Sequence, residues 1–156
     1  MPGKLKRLDE LEHLTSKAKA QGKKIVFTNG CFDILHRGHV HLLRAAKALG
    51  DLLVVAVNSD SSIKQIKGPR RPVVSQAGRV ELIEALEMVD YVVLFDEPDP
   101  CNLLAALKPD VLVKGGDYGR ETVVGADIVE SNGGKVAVVP FLEGFSTSDI
   151  IERVRR

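Results

Sequence analysis

A continuous apolar run, Leu52-Leu53-Val54-Val55-Ala56-Val57, restricts the fold of this chain more than any other feature. A strand with one solvated face alternates apolar and polar residues, whereas a strand covered on both faces is apolar throughout. The run therefore predicts a buried strand of a parallel sheet, with helices packed on both of its faces.

The remaining sequence alternates between strand and helix patterns. Short apolar runs predict further strands at 24–28, 91–95, 111–113 and 135–140. Periodicity and capping residues predict helices at 40–49, 75–87, from 99 onward, 122–131 and 147–155. Segment 59–74 has no strong period, and we expect a mobile loop with a short helical piece. The alternation predicts an α/β fold, a doubly wound parallel sheet of five strands in a single domain, which would bind ligands at the carboxyl ends of its strands.

The first 22 residues carry a pattern of their own. Leu5, Leu8, Leu11 and Leu14 recur at helical spacing among charged residues. This spacing predicts an amphipathic leader helix over residues 1–22 that packs on the edge of the domain formed by residues 23–156. Binding of a partner protein through this helix is the alternative.

Composition argues against several classes of protein. The 156 residues carry a net charge of +1 and an aromatic content of 4%, with no Trp. General binders of nucleic acid or of membrane surfaces usually carry a basic surplus, so we expect neither kind of partner. Two cysteines, Cys31 and Cys101, are too few for a disulfide framework. With no signal-peptide core and no membrane-spanning run, the sequence predicts a cytoplasmic protein with free thiols.

The stretch from Thr28 to His39, Thr-Asn-Gly-Cys-Phe-Asp-Ile-Leu-His-Arg-Gly-His, joins the first predicted strand of the domain to the helix that follows. A helix N-terminus exposes unpaired N–H groups and attracts phosphate. Gly30 and Gly38 leave room for a ligand. His36 and His39 are spaced so that both rings can face one bound group. The stretch therefore predicts a phosphate-binding site and nucleotide chemistry.

A metal site is the alternative for the same residues. The pair His36 and His39, with Cys31 and His41 nearby, supplies side chains that bind transition metals. Neither a Cys-x-x-Cys pair nor an acidic partner accompanies them, so phosphate binding is the preferred interpretation. His41 comes two residues after His39 and is expected at the surface.

The stretch resembles the nucleotidyltransferases that carry a His-x-Gly-His motif, the cytidylyltransferase-like superfamily. The resemblance extends over about residues 23–155 and is strongest to the adenylyltransferases that act on D-glycero-D-manno-heptose 1-phosphate. Such enzymes have a Rossmann-like domain that joins a nucleoside triphosphate to a phosphorylated acceptor and releases pyrophosphate. The segments that carry the closer likeness are Val57–Asp60, Lys67-Gly68-x-x-Arg71-Pro72, Arg79, Val89-Asp90, Pro109–Tyr118 and Glu143–Ser148.

The resemblance implies roles for the residues that match its motifs. His36, His39 and Lys67 are the expected catalytic residues: the imidazoles hold and polarise the phosphates, and the lysine neutralises the leaving pyrophosphate. Expected nucleotide contacts are Gly30, Cys31, Phe32, Gly38, Arg79, Lys114, Gly115, Asp117, Ser146 and Thr147. Expected acceptor contacts are Asn29, Asp33 and Arg71. Asp33 could instead hold its own loop by accepting hydrogen bonds from backbone N–H groups.

The resemblance also implies substrates and partners. ATP, with Mg²⁺ carried on its phosphates, and a heptose 1-phosphate are the expected substrates, and no metal held by protein side chains is expected. We further expect a homodimer, and a separate kinase that makes the sugar 1-phosphate. The alternatives are a cytidylyltransferase acting on glycerol 3-phosphate, FMN formation, and a nucleotide-binding regulatory module without turnover. Phe141 stands where cytidylyltransferases for glycerol phosphate have an Arg, which weakens the first alternative.

Overall fold

A computed structural model of the chain describes residues 3–116 and 123–156. It contains the strands β1 Ile25–Gly30, β2 Leu52–Asn58, β3 Tyr91–Phe95, β4 Val111–Gly115 and β5 Lys135–Val139. They form one five-stranded sheet in the order β3-β2-β1-β4-β5, and every neighbouring pair is parallel. The architecture confirms the prediction of a parallel α/β domain.

The helices of the described residues are α1 Leu8–Ala20, α2 Arg37–Lys47, α3 Asp60–Lys67, α4 Gln76–Glu84, α5 Cys101–Leu107, α6 Ala126–Ser131 and α7 Thr147–Arg155. α3 occupies much of the segment where a loop with a short helical piece was expected. It forms because the Ser59 hydroxyl accepts a hydrogen bond from the Ser62 N–H and because Ile63 is fully buried. No helix within the described ranges has both the length and the apolar character that crossing a membrane requires.

The side chains of β1 show how the sheet is covered on both faces. Ile25 and Phe27 are buried in a core that includes residues of α1, α5 and α6. Val26, between them, is buried on the opposite face with residues of α2 and α4. Successive residues of a strand point to opposite faces, so one apolar strand contributes to both cores. β2 alternates in the same way, as its apolar run predicted.

Helix α1 is part of the first of these cores, because Leu11 is fully buried and Ala18 is buried beside it. The chain before α1 runs along the edge of the sheet. There the Lys6 N–H donates to the Val92 carbonyl, and the Val92 N–H donates to the Lys4 carbonyl. These bonds cover part of the edge of β3, which would otherwise expose unpaired backbone groups.

The strand order places β1 between β2 and β4, so the sheet grows in both directions from β1. In open parallel sheets, ligands bind in the crevice outside the carboxyl ends of the strands where this direction reverses. Here that point lies between the ends of β1 and β4, at Gly30 and Gly115.

Candidate active site

Helix α2 begins with two histidines that cap it together. His36 is the N-cap residue, and its Nδ1 accepts a hydrogen bond from the Gly38 N–H at 3.0 Å. Nδ1 of His39 accepts from the His36 N–H at 3.1 Å. The two rings stack with their centroids 3.8 Å apart and 28° between their planes. The start of the helix therefore holds both imidazoles in fixed, adjacent positions.

These bonds decide which nitrogen of each ring carries a proton. Since Nδ1 of both rings accepts a hydrogen bond, the neutral rings carry their protons on Nε2. Burial lowers the pKa of His36. Burial, together with the charges of His36 and Lys67, lowers the pKa of His39 to about 4. Both rings are thus neutral at pH 7, and each has one Nε2–H donor for a ligand.

The turn between β1 and α2 has a strained backbone. Phe32 has a φ of 51° and Ile34 a φ of 54°, in the left-handed region that non-glycine residues rarely adopt. Each such residue costs of the order of 1–3 kcal/mol. The Phe32 ring is buried with its centroid 5.4 Å from that of His39. Gly30 leaves space for this ring, because a Cβ at Gly30 would lie 3.1 Å from Phe32 Cε2.

A cleft of about 420 Å³ adjoins the two histidines. Of the residues singled out in the sequence, it brings together His36, Gly38, His39, Lys67, Gly115, Ser146 and Thr147. One wall is the start of α7, where the Ser146 hydroxyl accepts a hydrogen bond from the Asp149 N–H at 3.0 Å. Thr147 Oγ1 donates to the Asp33 carbonyl at 2.6 Å, which fastens α7 to the turn before α2.

The groups that line the cleft suit a polyphosphate. They include the Nε2–H donors of His36 and His39 and the ammonium of Lys67. The start of α7 adds the positive end of a helix dipole and backbone N–H groups. Within residues 3–116 and 123–156, no group of three or more His, Cys, Asp and Glu side chains is arranged to hold a metal ion.

Part of the cleft was not expected from the sequence. Phe141, Leu142 and Phe145 line it from the segment between β5 and α7. His41, expected at the surface, is exposed and also lines the cleft. The guanidinium carbon of Arg37 lies 5.6 Å from the centroid of the Phe145 ring, a cation–π contact between α2 and this segment. The sequence contained one signal for this part of the cleft. The segment follows the last strand, so it lies at the same edge of the sheet as the other motifs.

Asp33 and Arg71 form an anchor between two loops. The buried Asp33 carboxylate accepts hydrogen bonds from Arg71 Nε at 3.0 Å and from the N–H groups of Val73 and Val74 at 2.8 and 2.9 Å. Burial alone would raise the pKa of the Asp33 carboxyl, but these donors outweigh it and keep the pKa below its ordinary value. The structure thus shows Asp33 holding a loop, which is the second of the two roles expected for it. Nη2 of Arg71 is buried without a hydrogen-bond partner in the described part of the chain, so its two N–H groups remain for a ligand.

Arg79 lies beneath the turn, which corrects the expected phosphate contact. It is 1% exposed. Its guanidinium donates to the carbonyls of Cys31 and Asn58, both at 2.7 Å. It also donates to the Val74 carbonyl at 3.0 Å and to the Asp60 carboxylate at 2.9 Å. These bonds use four of the five N–H donors of the guanidinium, and through them Arg79 supports the ends of β1 and β2.

Most of the chain matches a known protein family. Residues 27–153 match the sequence profile of the Cytidylyltransferase-like family. The chain belongs to this family. Its membership confirms the resemblance that the His-x-Gly-His stretch indicated.

Two curated relatives of this family member are bifunctional proteins named HldE. That of Geobacter metallireducens is 54% identical over 153 residues, which are 98% of this chain and 31% of the relative. That of Geobacter sulfurreducens is 53% identical over 151 residues, which are 97% of this chain and 31% of the relative. The chain therefore spans 31% of the length of these relatives.

Two solved structures have a similar fold. A lipopolysaccharide core biosynthesis protein from Thermoplasma volcanium is 32% identical, with a TM-score of 0.64 over 78% of this chain and 98% of that chain. A pantoate-beta-alanine ligase from Francisella tularensis is 15% identical, with a TM-score of 0.61 over 99% of this chain and 77% of that chain. At this lower identity the likeness shows a shared fold alone.

In this family member, Lys114 and Cys31 are among the expected site residues that do not line the cleft. Lys114 Nζ donates to Asn29 Oδ1 at 2.9 Å, and burial lowers the pKa of Lys114. Cys31, in the turn, has its Sγ 4.0 Å from Asn58 Oδ1, and burial raises the pKa of its thiol. Asp117 lies outside the described residues.

Proposed function

We propose that this chain is an adenylyltransferase that transfers AMP from ATP to a heptose 1-phosphate, giving ADP-heptose and pyrophosphate. The observation that carries the proposal is the pair of neutral Nε2–H donors at His36 and His39, beside a cleft that Lys67 and the start of α7 also line. Membership of the Cytidylyltransferase-like family supports the type of reaction. The likeness to heptose 1-phosphate adenylyltransferases supports the nucleotide and the acceptor.

The reaction needs no nucleophile from the protein. An oxygen of the acceptor phosphate attacks the α-phosphorus of ATP in line and forms a new P–O bond. The bond from the α-phosphorus to its bridge oxygen breaks, and pyrophosphate leaves with that electron pair. Catalysis then consists of positioning the two substrates and stabilising the charge on the phosphate oxygens.

His36 and His39 act in this reaction as neutral hydrogen-bond donors. Because the pKa of His39 is about 4, its ring is not an imidazolium at pH 7 and polarises a phosphate oxygen without giving up its proton. Lys67, the exposed last residue of α3, neutralises the leaving pyrophosphate together with the start of α7. ATP enters as its Mg²⁺ complex, with the metal carried on the phosphates.

Pyrophosphate release by the purified protein tests this function. ATP, CTP and GTP would each be paired with both anomers of heptose 1-phosphate and with glycerol 3-phosphate. We expect release with ATP and a heptose 1-phosphate only. Release with CTP and glycerol 3-phosphate would keep the reaction type and overturn the substrates. Binding of ATP with no release in any pairing would favour a regulatory module.

The proposal extends to the setting of the enzyme. A homodimer in the cytoplasm, supplied with sugar 1-phosphate by a kinase, is supported by the resemblance to the superfamily. Light scattering on the purified protein measures its mass in solution, and a species of 17.0 kDa would contradict the dimer.

A further inference from the structure

A second cavity, of about 180 Å³, lies near the carboxyl ends of β1 and β4. It is lined by Asn29, Pro98, Asp99, Pro100, Lys114, Val123 and Val124. Asn29 lies on the same face of β1 as Ile25 and Phe27, and these two residues belong to the core that includes α5. Gly115, the next residue after Lys114, lines the first cleft instead. The two cavities therefore lie on opposite faces of the sheet, at the ends of the same strands.

Lys114 has donors that the described residues do not use. Its ammonium has three N–H donors, and the structure shows one hydrogen bond from Nζ, to Asn29 Oδ1 at 2.9 Å. The ion pairs found among residues 3–116 and 123–156 do not include Lys114. Burial lowers its pKa, as expected for a cation whose charge is poorly compensated. An anion entering this cavity would supply that compensation.

The other polar groups of the cavity suit hydroxyl groups. The Asn29 amide uses Oδ1 to accept from Lys114, and its Nδ2 carries two further donors. Asp99 Oδ1 accepts from the Cys101 N–H at 3.0 Å, which holds the carboxylate at the start of α5. A carboxylate offers about four lone-pair positions, so Asp99 can also accept a hydrogen bond from a ligand.

We propose that this second cavity binds the phosphorylated sugar, with Lys114 on its phosphate and Asn29 and Asp99 on its hydroxyl groups. The inference rests on the proposed function and adds that donor and acceptor enter from opposite faces of the sheet. In-line displacement requires the nucleophile and the leaving group on opposite sides of the phosphorus. Two cavities on opposite faces, both at the ends of β1 and β4, suit that arrangement. Lys114 then belongs to the acceptor side and not to the nucleotide.

Steady-state kinetics of two matched lysine variants test the assignment. Lys114→Gln should raise the KM for heptose 1-phosphate at least tenfold and leave the KM for ATP within twofold. Lys67→Gln, on the first cleft, should instead raise the KM for ATP and leave the KM for heptose 1-phosphate within twofold. Lys114→Arg keeps the charge and should recover part of the acceptor affinity. Asn29→Asp places a carboxylate against Lys114, so it should also raise the KM for the acceptor.

The possible outcomes separate this inference from the proposed function. If wild type is active but Lys114→Gln raises the KM for ATP and not that for the sugar, the acceptor site is overturned and the function stands. If wild type releases no pyrophosphate with heptose 1-phosphate, the proposed function fails. Calorimetry then measures whether wild type and Lys114→Gln bind that sugar phosphate. Binding that is lost in Lys114→Gln supports the site; equal binding by both proteins, or none by wild type, overturns it. If Lys114→Gln does not fold, Asp99→Asn, whose amide oxygen can still accept from the Cys101 N–H, takes its place.

Discussion

Thr147 Oγ1 donates a hydrogen bond to the carbonyl of Asp33 at 2.6 Å, across a sequence separation of 114 residues. The side chain of the same Asp33 accepts from Arg71 and from the backbone of Val73 and Val74. One residue of the turn thus connects the start of α7 with the loop that follows α3. Since the turn leads to the two histidines, these bonds set the shape of the cleft.

Thr147→Val should loosen this connection. The change keeps the shape of the side chain but leaves the Asp33 carbonyl without its donor, so the free energy of unfolding should fall by about 1 kcal/mol. The KM for ATP should rise several-fold, because the start of α7 is no longer fixed to the turn. Urea unfolding and initial-rate kinetics measure the two effects. Thr147→Ser keeps the donor, and identical behaviour of the two variants would contradict the assigned role.

Gly38→Ala should displace the His36 ring. A Cβ at Gly38 would lie 2.8 Å from His36 Cε1 and 3.0 Å from its Nδ1. The ring would have to leave its capping position, at a cost of about 1 kcal/mol, and turnover should fall with it. At Gly115 a Cβ would meet Leu42 at 3.6 Å, an ordinary contact. Gly115→Ala is therefore the control, with a change in stability within about 0.5 kcal/mol. Equal thermal shifts in the two variants would contradict the crowding at Gly38.

Arg79→Met should destabilise the fold far more than it alters phosphate affinity. The variant leaves the carbonyls of Cys31 and Asn58 without their shared donor, and we expect a loss of about 3 kcal/mol in the free energy of unfolding. The exposed Arg70, changed to Met, serves as the control and should lose less than about 0.5 kcal/mol. A folded Arg79→Met of wild-type stability with weak ATP binding would return Arg79 to the nucleotide site.

The stability of the protein should decrease as the pH is lowered from about 6.5 to 4. His39 has a pKa of about 4 in the folded state, below its ordinary value of 6.5. The unfolded chain therefore binds the proton first, and protonation favours unfolding. The stability that the neutral His39 contributes is complete above pH 6.5 and is lost as the pH falls to 4. The pKa of Asp33 is lowered from 3.8, so the stability that its carboxylate contributes is lost only at still lower pH. Chemical unfolding at several pH values should give a shallower fall for His39→Asn, and parallel curves for the two proteins would contradict the lowered pKa.

Local patterns predicted the strands, because their causes are local. The run from Leu52 to Val57 is apolar throughout, and β2 is covered on both faces. Helix α3 was harder to predict, since it depends on the Ser59 cap and on the burial of Ile63 against distant elements. The spacing of His36 and His39 indicated a shared ligand. It did not indicate that their Nδ1 atoms accept from the backbone, which requires the extended conformation of the N-cap residue.

Residues whose surroundings come from distant segments could not be placed from the sequence. Arg79 has the pattern of a surface charge on a helix, yet its partners Cys31 and Asn58 lie 48 and 21 residues away. Lys114 and Gly115 are adjacent in one motif, but the alternation of a strand sends them to different cavities. Phe145 lines the cleft from the segment between β5 and α7, and the path of this segment depends on the hydrogen bond that holds the start of α7 to Asp33.

The single-turnover rate of His39→Asn tests the central claim most directly. The asparagine Oδ1 can replace Nδ1 as acceptor from the His36 N–H, but no atom of this side chain reaches the position of Nε2. We expect a folded protein that binds ATP with wild-type affinity and releases pyrophosphate at least about a hundredfold more slowly, at saturating ATP and heptose 1-phosphate. A folded His39→Asn with a near wild-type rate would show that the Nε2–H donor does not stabilise the transition state.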